Sequence, residues 1–379
     1  MKVGTGYSRI LHSREAGRQA AAQALKEIGA QPVVTFVFTT EGYDQEQVLD
    51  SVLSEVGNSR VIGASSAGII TSDGIFEDGV NVMVLSGSGI EAVTATEGFQ
   101  PEAPGKTGRS LGQNLLAAKA ATGGTVFVFP DGLAGNIALM LRGLYEVMGP
   151  DFQYVGGGTG DNLRFLKTYQ FTESGVSSGS VAAALVTGVT VGTGVGHGWE
   201  PVGSPLVITK AEDKFIHELD ERPAFSVYSE RLGGIELSRF PEYGMRHPLG
   251  IVDAVGRFIV RDPIRAFPNG TLELVTEVPS KAVAYLMEGR KENLAGAARD
   301  VFRAALSAVG EPKFALLFNC VSRFLLVRNE VDDVGIGREA LGPSVPMAGI
   351  LTFGEVGTYT DVPLFHNKTM VVAIGGQPR

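Results

Sequence analysis

Short runs of continuous apolar residues alternate with amphipathic stretches along this 379-residue chain, and the alternation repeats. A run VVTFVF (Val33–Phe38) leads into the loop TTEGYD and a helical pattern from Asp44 to Val56, then into a short run ending RVIGASSAG (Arg60–Gly68). The same order returns with TVFVFPDG (Thr125–Gly132), a helical stretch Asn136–Met148 and YVGGGTGDN (Tyr154–Asn162). A third, looser copy begins at FALLFNC (Phe314–Cys320) and ends at PMAGILTFGEVG (Pro346–Gly357). An amphipathic segment precedes each copy and predicts a helix: Ser13–Ile28, Thr107–Ala121 and Lys291–Val309. Ser13, Thr107 and Asn293 are the candidate N-caps, and Gly29 closes the first helix. After each Gly-rich loop the pattern changes to β-branched or period-two runs, as in VNVMVL (Val80–Leu85), SVAAALV (Ser180–Val186) and TMVVAI (Thr369–Ile374).

Apolar runs with so little alternation belong to strands covered on both faces. The pattern therefore predicts an α/β fold: a layered, two-domain architecture of repeated helix–strand–helix–strand units with mixed sheets. Pro201–Pro223 reads as the join, carrying a helical stretch AEDKFIHELDERP (Ala211–Pro223), with a further helix over Pro223–Leu232. A boundary near residue 205 separates a domain 1–205 from a domain 206–379. FIVRDPIRAF (Phe258–Phe267) reads as a strand interrupted at Asp262-Pro263, because proline cannot donate to a ladder.

Composition narrows the functional classes. A net charge of −9 without a basic run argues against nucleic acid as a partner. A single cysteine, Cys320, excludes an intramolecular disulfide and fits a reducing compartment. The five histidines form no spaced metal motif. The start MKVGTGYSRILHSRE lacks a secretory apolar core, and the longest uncharged stretch, Ser174–His197, is Gly/Ser/Thr-rich. The expectation is a cytoplasmic protein that does not cross a membrane. Fifty-one glycines, about twice the usual share, imply many tight turns and close backbone approaches.

GASSAG (Gly63–Gly68), DGLAGN (Asp131–Asn136), GGGTGDN (Gly156–Asn162), FIVRDP (Phe258–Pro263), FNCVSR (Phe318–Arg323) and FGEVG (Phe353–Gly357) resemble, in this order, the FIST family. The resemblance spans the chain as a FIST N-like and a FIST C-like domain. It implies a small-ligand sensory protein involved in signal transduction, with amino acids as the usual ligand proposal. With both halves filling the chain, it implies a stand-alone receptor signalling through a partner such as a histidine kinase, and some relatives look like haem proteins sensing nitric oxide.

Arg323 and Glu355 read as a zwitterion site, the guanidinium for a carboxylate and the carboxylate for an ammonium, or as a buried ion pair with each other. Gly157, Gly158, Thr159, Asp161 and Asn162 read as a loop offering backbone donors to an anion, or as a plain turn. Ser65 and Ser66 supply similar donors in the first unit. Asp131, with Asn136, is a ligand contact or a helix cap. Cys320, like its neighbour Asn319, is a ligand contact; its alternatives are a buried thiol or the nucleophile of an enzyme acting on a small acid or amide, a role that a carboxylate such as Asp161 could also fill. No linked nucleophile–base signature accompanies it, which favours a receptor over an enzyme. No cofactor is expected; the alternative is haem b held non-covalently by His197, His247 or His366, since no CxxCH motif is present.

Overall fold

Every residue of Val34–Thr40 is buried, as a strand with neighbours on both faces requires. In the computed structural model, which describes residues 1–253, 255–359 and 362–379, the three sequence copies become three equivalent units of an α/β fold. Each unit is built on two parallel strands: Val34–Thr40 beside Arg60–Ser66, Gly124–Pro130 beside Phe152–Gly157, and Val309–Cys320 beside Met347–Thr352. An antiparallel strand flanks the first of each pair, namely Val80–Ser86, Ser180–Thr187 and Met370–Pro378. Beyond it lies an outer strand, Lys2–Ser8, Glu91–Gly98 or Thr190–Gly196.

The remaining two strands of each sheet come from a different unit. The first unit's hairpin (Ile69–Thr71, Gly74–Phe76) pairs with Met347–Thr352 of the third. The second unit's hairpin (Gln170–Thr172, Gly175–Ser177) pairs with Arg60–Ser66 of the first. The third unit's hairpin (Glu355–Gly357, Leu364–His366) pairs with Phe152–Gly157 of the second. Each unit gives a hairpin to a neighbour, and the exchange closes into a ring.

The inner faces of the three sheets share one core. Phe38, Phe129 and Phe318 occupy equivalent positions and meet there, with ring centroids 5.7 Å apart for both Phe38–Phe129 and Phe129–Phe318. Helices cover the outer faces: Ser13–Ile28 and Gln45–Val56 on the first, Pro104–Ala118 and Ile137–Met148 on the second, Lys291–Leu306 and Asp333–Leu341 on the third. Part of the glycine excess has one repeated cause. Gly63, Gly156 and Gly349 are equivalent, and a Cβ at each would lie within 2.0 Å of the carbonyl oxygen of Val37, Val128 or Leu317 on the adjacent strand.

Between the third unit's outer strand and its first helix, Trp199–Gly289 builds a separate eight-stranded sheet with its own core. Residue 205 lies inside the long strand Trp199–Glu212, and the exchanged hairpins pair across it. The helix expected over Ala211–Pro223 is instead the turn of a β-hairpin. Asp213 adopts φ 52°, and Phe215–Leu219 returns as a strand between Trp199–Glu212 and Leu272–Leu274. Ile216 and Leu219 have a helical spacing, and a register shift between Lys210 and Ala211 lets both be buried in the strand beside Leu206, Ile208 and Leu272. The helix Ala224–Arg231 does follow Pro223, and Asp262-Pro263 does interrupt a strand.

Two helix starts also differ from expectation. His12 rather than Ser13 caps the first helix, its Nδ1 accepting the Glu15 N–H. Thr107 lies inside Pro104–Ala118, where its hydroxyl accepts the Gln100 N–H, and Asn293 lies inside Lys291–Leu306.

A fragment ending at residue 205 lacks both the hairpin that completes the second sheet and the strand on which its own first hairpin docks. The expected outcome is no cooperative thermal transition by circular dichroism and self-association on size exclusion, because unpaired edges remain. A monomeric, cooperatively melting fragment would show that the ring closure is dispensable.

Candidate functional site

At the carboxyl ends of the parallel strands, register places Thr40 opposite Ser66, Asp131 opposite Thr159 and Cys320 opposite Thr352. The Gly-rich loops that follow meet directly. Gly160 N–H donates to the Ser65 carbonyl at 3.0 Å, Ala67 N–H to Leu351 at 3.1 Å, Gly158 N–H to Gly354 at 2.8 Å and Thr159 N–H to Pro130 at 2.9 Å. The donors of Gly158 and Thr159 expected for an anion are thus spent inside the protein. A Cβ at Gly157 would lie 2.4 Å from Thr352 Cγ2, and one at Gly158 2.6 Å from the Phe353 carbonyl oxygen. These glycines let backbones touch each other.

The loop side chains are likewise engaged. Ser65 donates to the Gly160 carbonyl and accepts the Tyr169 N–H, while Ser66 donates to the Thr39 carbonyl. Asp131 accepts from Leu133 N–H and the Thr168 hydroxyl, so it holds a turn and does not cap the next helix; Asn136, at that helix's N-cap with φ 59°, makes no side-chain cap bond. Asp161 accepts the N–H groups of Phe165, Leu166 and Lys167 and so folds the loop that follows. Asn162 ties that loop to the first unit through the Glu41 N–H and the Glu77 carbonyl.

Arg323 and Glu355 do not pair with each other. The fully buried Arg323 guanidinium grips Asp333 through two bonds of 2.6 and 3.0 Å and donates to the Leu294 carbonyl. Asn319 donates to the same Asp333 carboxylate at 2.9 Å and accepts from Arg323. This set locks the start of helix Asp333–Leu341 and is structural. Glu355 accepts from the Thr352 hydroxyl at 2.6 Å and the Thr369 N–H at 3.1 Å. Burial pushes its carboxyl up to about 8, so it is mostly neutral at pH 7 and poorly suited to hold an ammonium.

Cys320 belongs to the same buried ground. Burial, reinforced by Glu355, pushes its thiol up to about 12, which keeps it protonated and unreactive. Its Sγ lies 3.2 Å from Ser322 Oγ, which donates to Asp262 at 3.1 Å. Asp262 also pairs at 3.1 Å with Lys368, a fully buried lysine that donates to the Met245 carbonyl and lies over the Trp199 ring. The row from Glu355 to Lys368 joins the three-unit core to the Trp199–Gly289 insert. Sequence reasoning missed Asp262, Ser322, Asp333 and Lys368 as site residues; Asp262 and Ser322 lie within the FIVRDP and FNCVSR blocks, while Asp333 and Lys368 carry no motif signal.

An open cleft lies next to this row. Its larger part, about 540 Å³, runs along the Val321–Val327 helix and is lined by Glu77, Phe324, Arg328 and Asp332. A smaller part of about 200 Å³ reaches Ala67, Asn162, Leu163 and Leu351, so the first two Gly loops and the end of the third unit's strand Met347–Thr352 border it. Glu77 and Arg328 line both parts and pair across them at 2.8 Å, each about half exposed. Asn162, Leu163 and Phe165 of the bordering loop have φ of 53°, 65° and 55°. That left-handed conformation costs on the order of 1–2 kcal/mol for a residue with a Cβ. Phe165 is held there by stacking on Phe353 at 5.0 Å. Of the residues expected to bind ligand, Asn162 lines the cleft; Glu77 and Arg328 were not foreseen, because one sits in a hairpin and the other in the irregular middle of the third unit.

The histidines are largely occupied. His197 accepts the Trp199 N–H and bonds the Phe258 carbonyl, and burial lowers its ring to about 4. His366 bonds the Gly357 carbonyl, and burial lowers it to about 3. Among the described residues, His247 Nδ1 is buried without a hydrogen-bond partner.

Comparison with known proteins follows these motifs. The FIST N domain profile matches residues 33–222 and the FIST C domain profile matches residues 224–358. The chain belongs to the FIST family. FIST domains are associated with sensory signal transduction. The FIST chain is 26% identical to an uncharacterized protein of Mycobacterium bovis, Mb0898c, over 99% of its own length and 98% of the relative's. It is 25% identical to the uncharacterized Mycobacterium tuberculosis protein Rv0628c, over 99% of both. A Methanocaldococcus jannaschii protein, MJ1623, is 24% identical over 67% of this chain and 53% of its own. Among solved structures, a cyanuric acid hydrolase from A. caulinodans aligns over 99% of both chains at 10% identity and a TM-score of 0.38, too loose a likeness to carry anything over. Among the described residues no helix is long and apolar enough to cross a membrane.

Two measurements separate the locked groups from the open ones. Arg323→Met strands the buried Asp333 charge and is expected to cost about 3–5 kcal/mol in chemical denaturation, whereas Arg328→Gln removes an exposed pair and costs at most about 1 kcal/mol. Glu355 has a folded value near 8 and an unfolded value near 4.5, so its stabilising contribution is full below about 4.5 and is lost as pH rises through 8. Glu355→Gln is therefore expected to gain melting temperature relative to wild type between pH 5 and 8.5; a constant difference across that range would rule out the raised carboxyl.

Proposed function

We propose that this FIST protein is a sensory receptor for a small zwitterionic metabolite, an amino acid, bound in the cleft beside the Val321–Val327 helix and read by a partner protein such as a histidine kinase. The observation that carries this reading is the Arg328–Glu77 pair, which spans the cleft beside the first two Gly loops and the end of the third unit's strand Met347–Thr352. A guanidinium fork matches a carboxylate and a carboxylate matches an ammonium. An amino acid supplies both counter-groups, so it replaces one exposed ion pair with two. Exposed pairs contribute roughly 0–1 kcal/mol, so opening this one costs little. The buried Arg323–Asp333 pair offers no such exchange. The larger part of the cleft lies within the ~300–1,000 Å³ of ordinary small-molecule sites.

The Val321–Val327 helix gives occupancy a route outward. Val321, Phe324 and Leu325 face the cleft, while Ser322 bonds Asp262 and Val327 packs with Trp199, Val260 and Met287 of the insert. A ligand that favours one position of this helix shifts the insert against the core, provided it binds that arrangement more tightly.

A thermal-shift screen of the amino acids tests the reading. At ~100-fold excess over its dissociation constant a ligand adds about 2.7 kcal/mol of stability. The expected result is stabilisation by an amino acid, lost with its decarboxylated amine or deaminated acid and lost in Arg328→Gln. A protein unmoved by every amino acid would reject the proposal.

A further inference from the structure

The two parts of the cleft differ in chemistry, and the Glu77–Arg328 pair stands between them. The larger part mixes the polar Asn329, Glu330, Asp332 and Asp333 with the apolar Ile75, Phe324, Val331 and Val334. The smaller is walled by Ala67, Leu163, Val321, Phe324, Leu325 and Leu351. Apart from the gate pair, Asn162 is its polar lining residue, and both ends of that amide are already bonded to the first unit. We infer that the smaller part is a side-chain subsite, so that the ligand is an amino acid with an apolar side chain of the size of leucine, methionine or phenylalanine. This assignment rests on the zwitterion reading of the cleft.

Geometry sets the orientation. A ligand whose carboxylate and ammonium lie on Arg328 and Glu77 has its α-carbon at the junction of the two parts. Its side chain then goes either toward the acidic residues and solvent or into the apolar part. An aliphatic side chain is removed from water more completely in the second direction, where the lining is apolar apart from the ion pair and Asn162. The volume is sufficient, since an apolar cavity of ~150 Å³ accommodates a benzene and this one measures about 200 Å³. A carboxylate or ammonium side chain would find no free partner among the apolar residues there, and burying a charge unpaired is strongly unfavourable.

Leu163 is the wall residue most exposed to choice. It stands in the left-handed region and is 38% accessible, between Asn162, which is tied to the first unit, and Phe165, which stacks on Phe353. Its neighbours hold the loop, so its own side chain is free to serve the cleft. Asparagine tolerates the same φ, so Leu163→Asn alters the wall and preserves the backbone.

Isothermal titration calorimetry on the full chain with leucine, alanine and glutamate tests the inference. Leucine should bind roughly 10- to 100-fold tighter than alanine, from three additional buried carbons, and glutamate should bind no better than alanine. Leu163→Asn should narrow the leucine-to-alanine ratio several-fold, with the variant's unperturbed melting curve showing that it folds. Alanine or glutamate binding as tightly as leucine would overturn the side-chain subsite and leave the zwitterion site standing. A leucine preference unchanged by Leu163→Asn would place the side chain elsewhere and equally overturn the assignment. Absence of binding by all three, together with all other amino acids, would remove the zwitterion site itself.

Discussion

The exchanged hairpins are the constraint on which the rest of the molecule depends. Each parallel pair would present an open edge if its unit stood alone, and each hairpin would be a two-stranded ribbon without a sheet. Passing the hairpin to the preceding unit of the ring satisfies both needs at once. The same pairing pulls the strand ends of the three units together. Ala67 bonds Leu351, Gly160 bonds Ser65 and Gly158 bonds Gly354 because the hairpins that follow those residues run onto the neighbouring sheets. The convergence of the Gly loops is a consequence of sheet closure.

This closeness explains why chemistry-bearing residues at the loop ends are mostly unavailable. Backbones packed within a Cβ's reach leave little room, and their polar groups bond to one another, as buried polar groups must. Only the third unit is different. There the Trp199–Gly289 insert approaches the strand ends and brings Asp262 to Ser322 and Lys368. Glu355, Cys320 and Lys368 are buried because the insert and the core enclose them together. The raised titrations of Glu355 and Cys320 follow from that enclosure, with burial as the largest cause for both. The open cleft lies just outside, along a short helix that touches core, insert and solvent in turn.

A contrast between two arginines on that helix and at its end illustrates the difference between holding and binding. Arg323 is completely enclosed, with a bidentate carboxylate and a backbone carbonyl as partners, so it fixes a helix start. Arg328, five residues later, reaches a carboxylate across solvent. Both are arginines paired with a carboxylate, Asp333 in one case and Glu77 in the other. Solvent access decides that one interaction is permanent and the other exchangeable, because desolvation sets what breaking each would cost.

The sequence alone determined the three copies, their strand and helix order and the covered faces of the central strands, since each depends on residues within one copy. The FIST motifs also marked the right neighbourhood: FIVRDP, FNCVSR and FGEVG contribute Asp262, Ser322, Cys320 and Glu355 to one buried row. Partner choice was not legible. Arg323 and Glu355 look complementary on paper, yet Arg323 turns to Asp333 and Glu355 to Thr352 and Thr369. The hairpin at Glu212–Phe215 was misread for a related reason: Ile216 and Leu219 are spaced as on a helix, and the register shift that buries both in a strand belongs to the pairing with Trp199–Glu212. Glu77 and Arg328 carry no local signal at all: 251 residues apart, they meet only because the first unit's hairpin lies on the third unit's sheet. Local periodicity fixes elements, whereas charge partners and burial are set by the ring of exchanged strands, which only the tertiary structure decides.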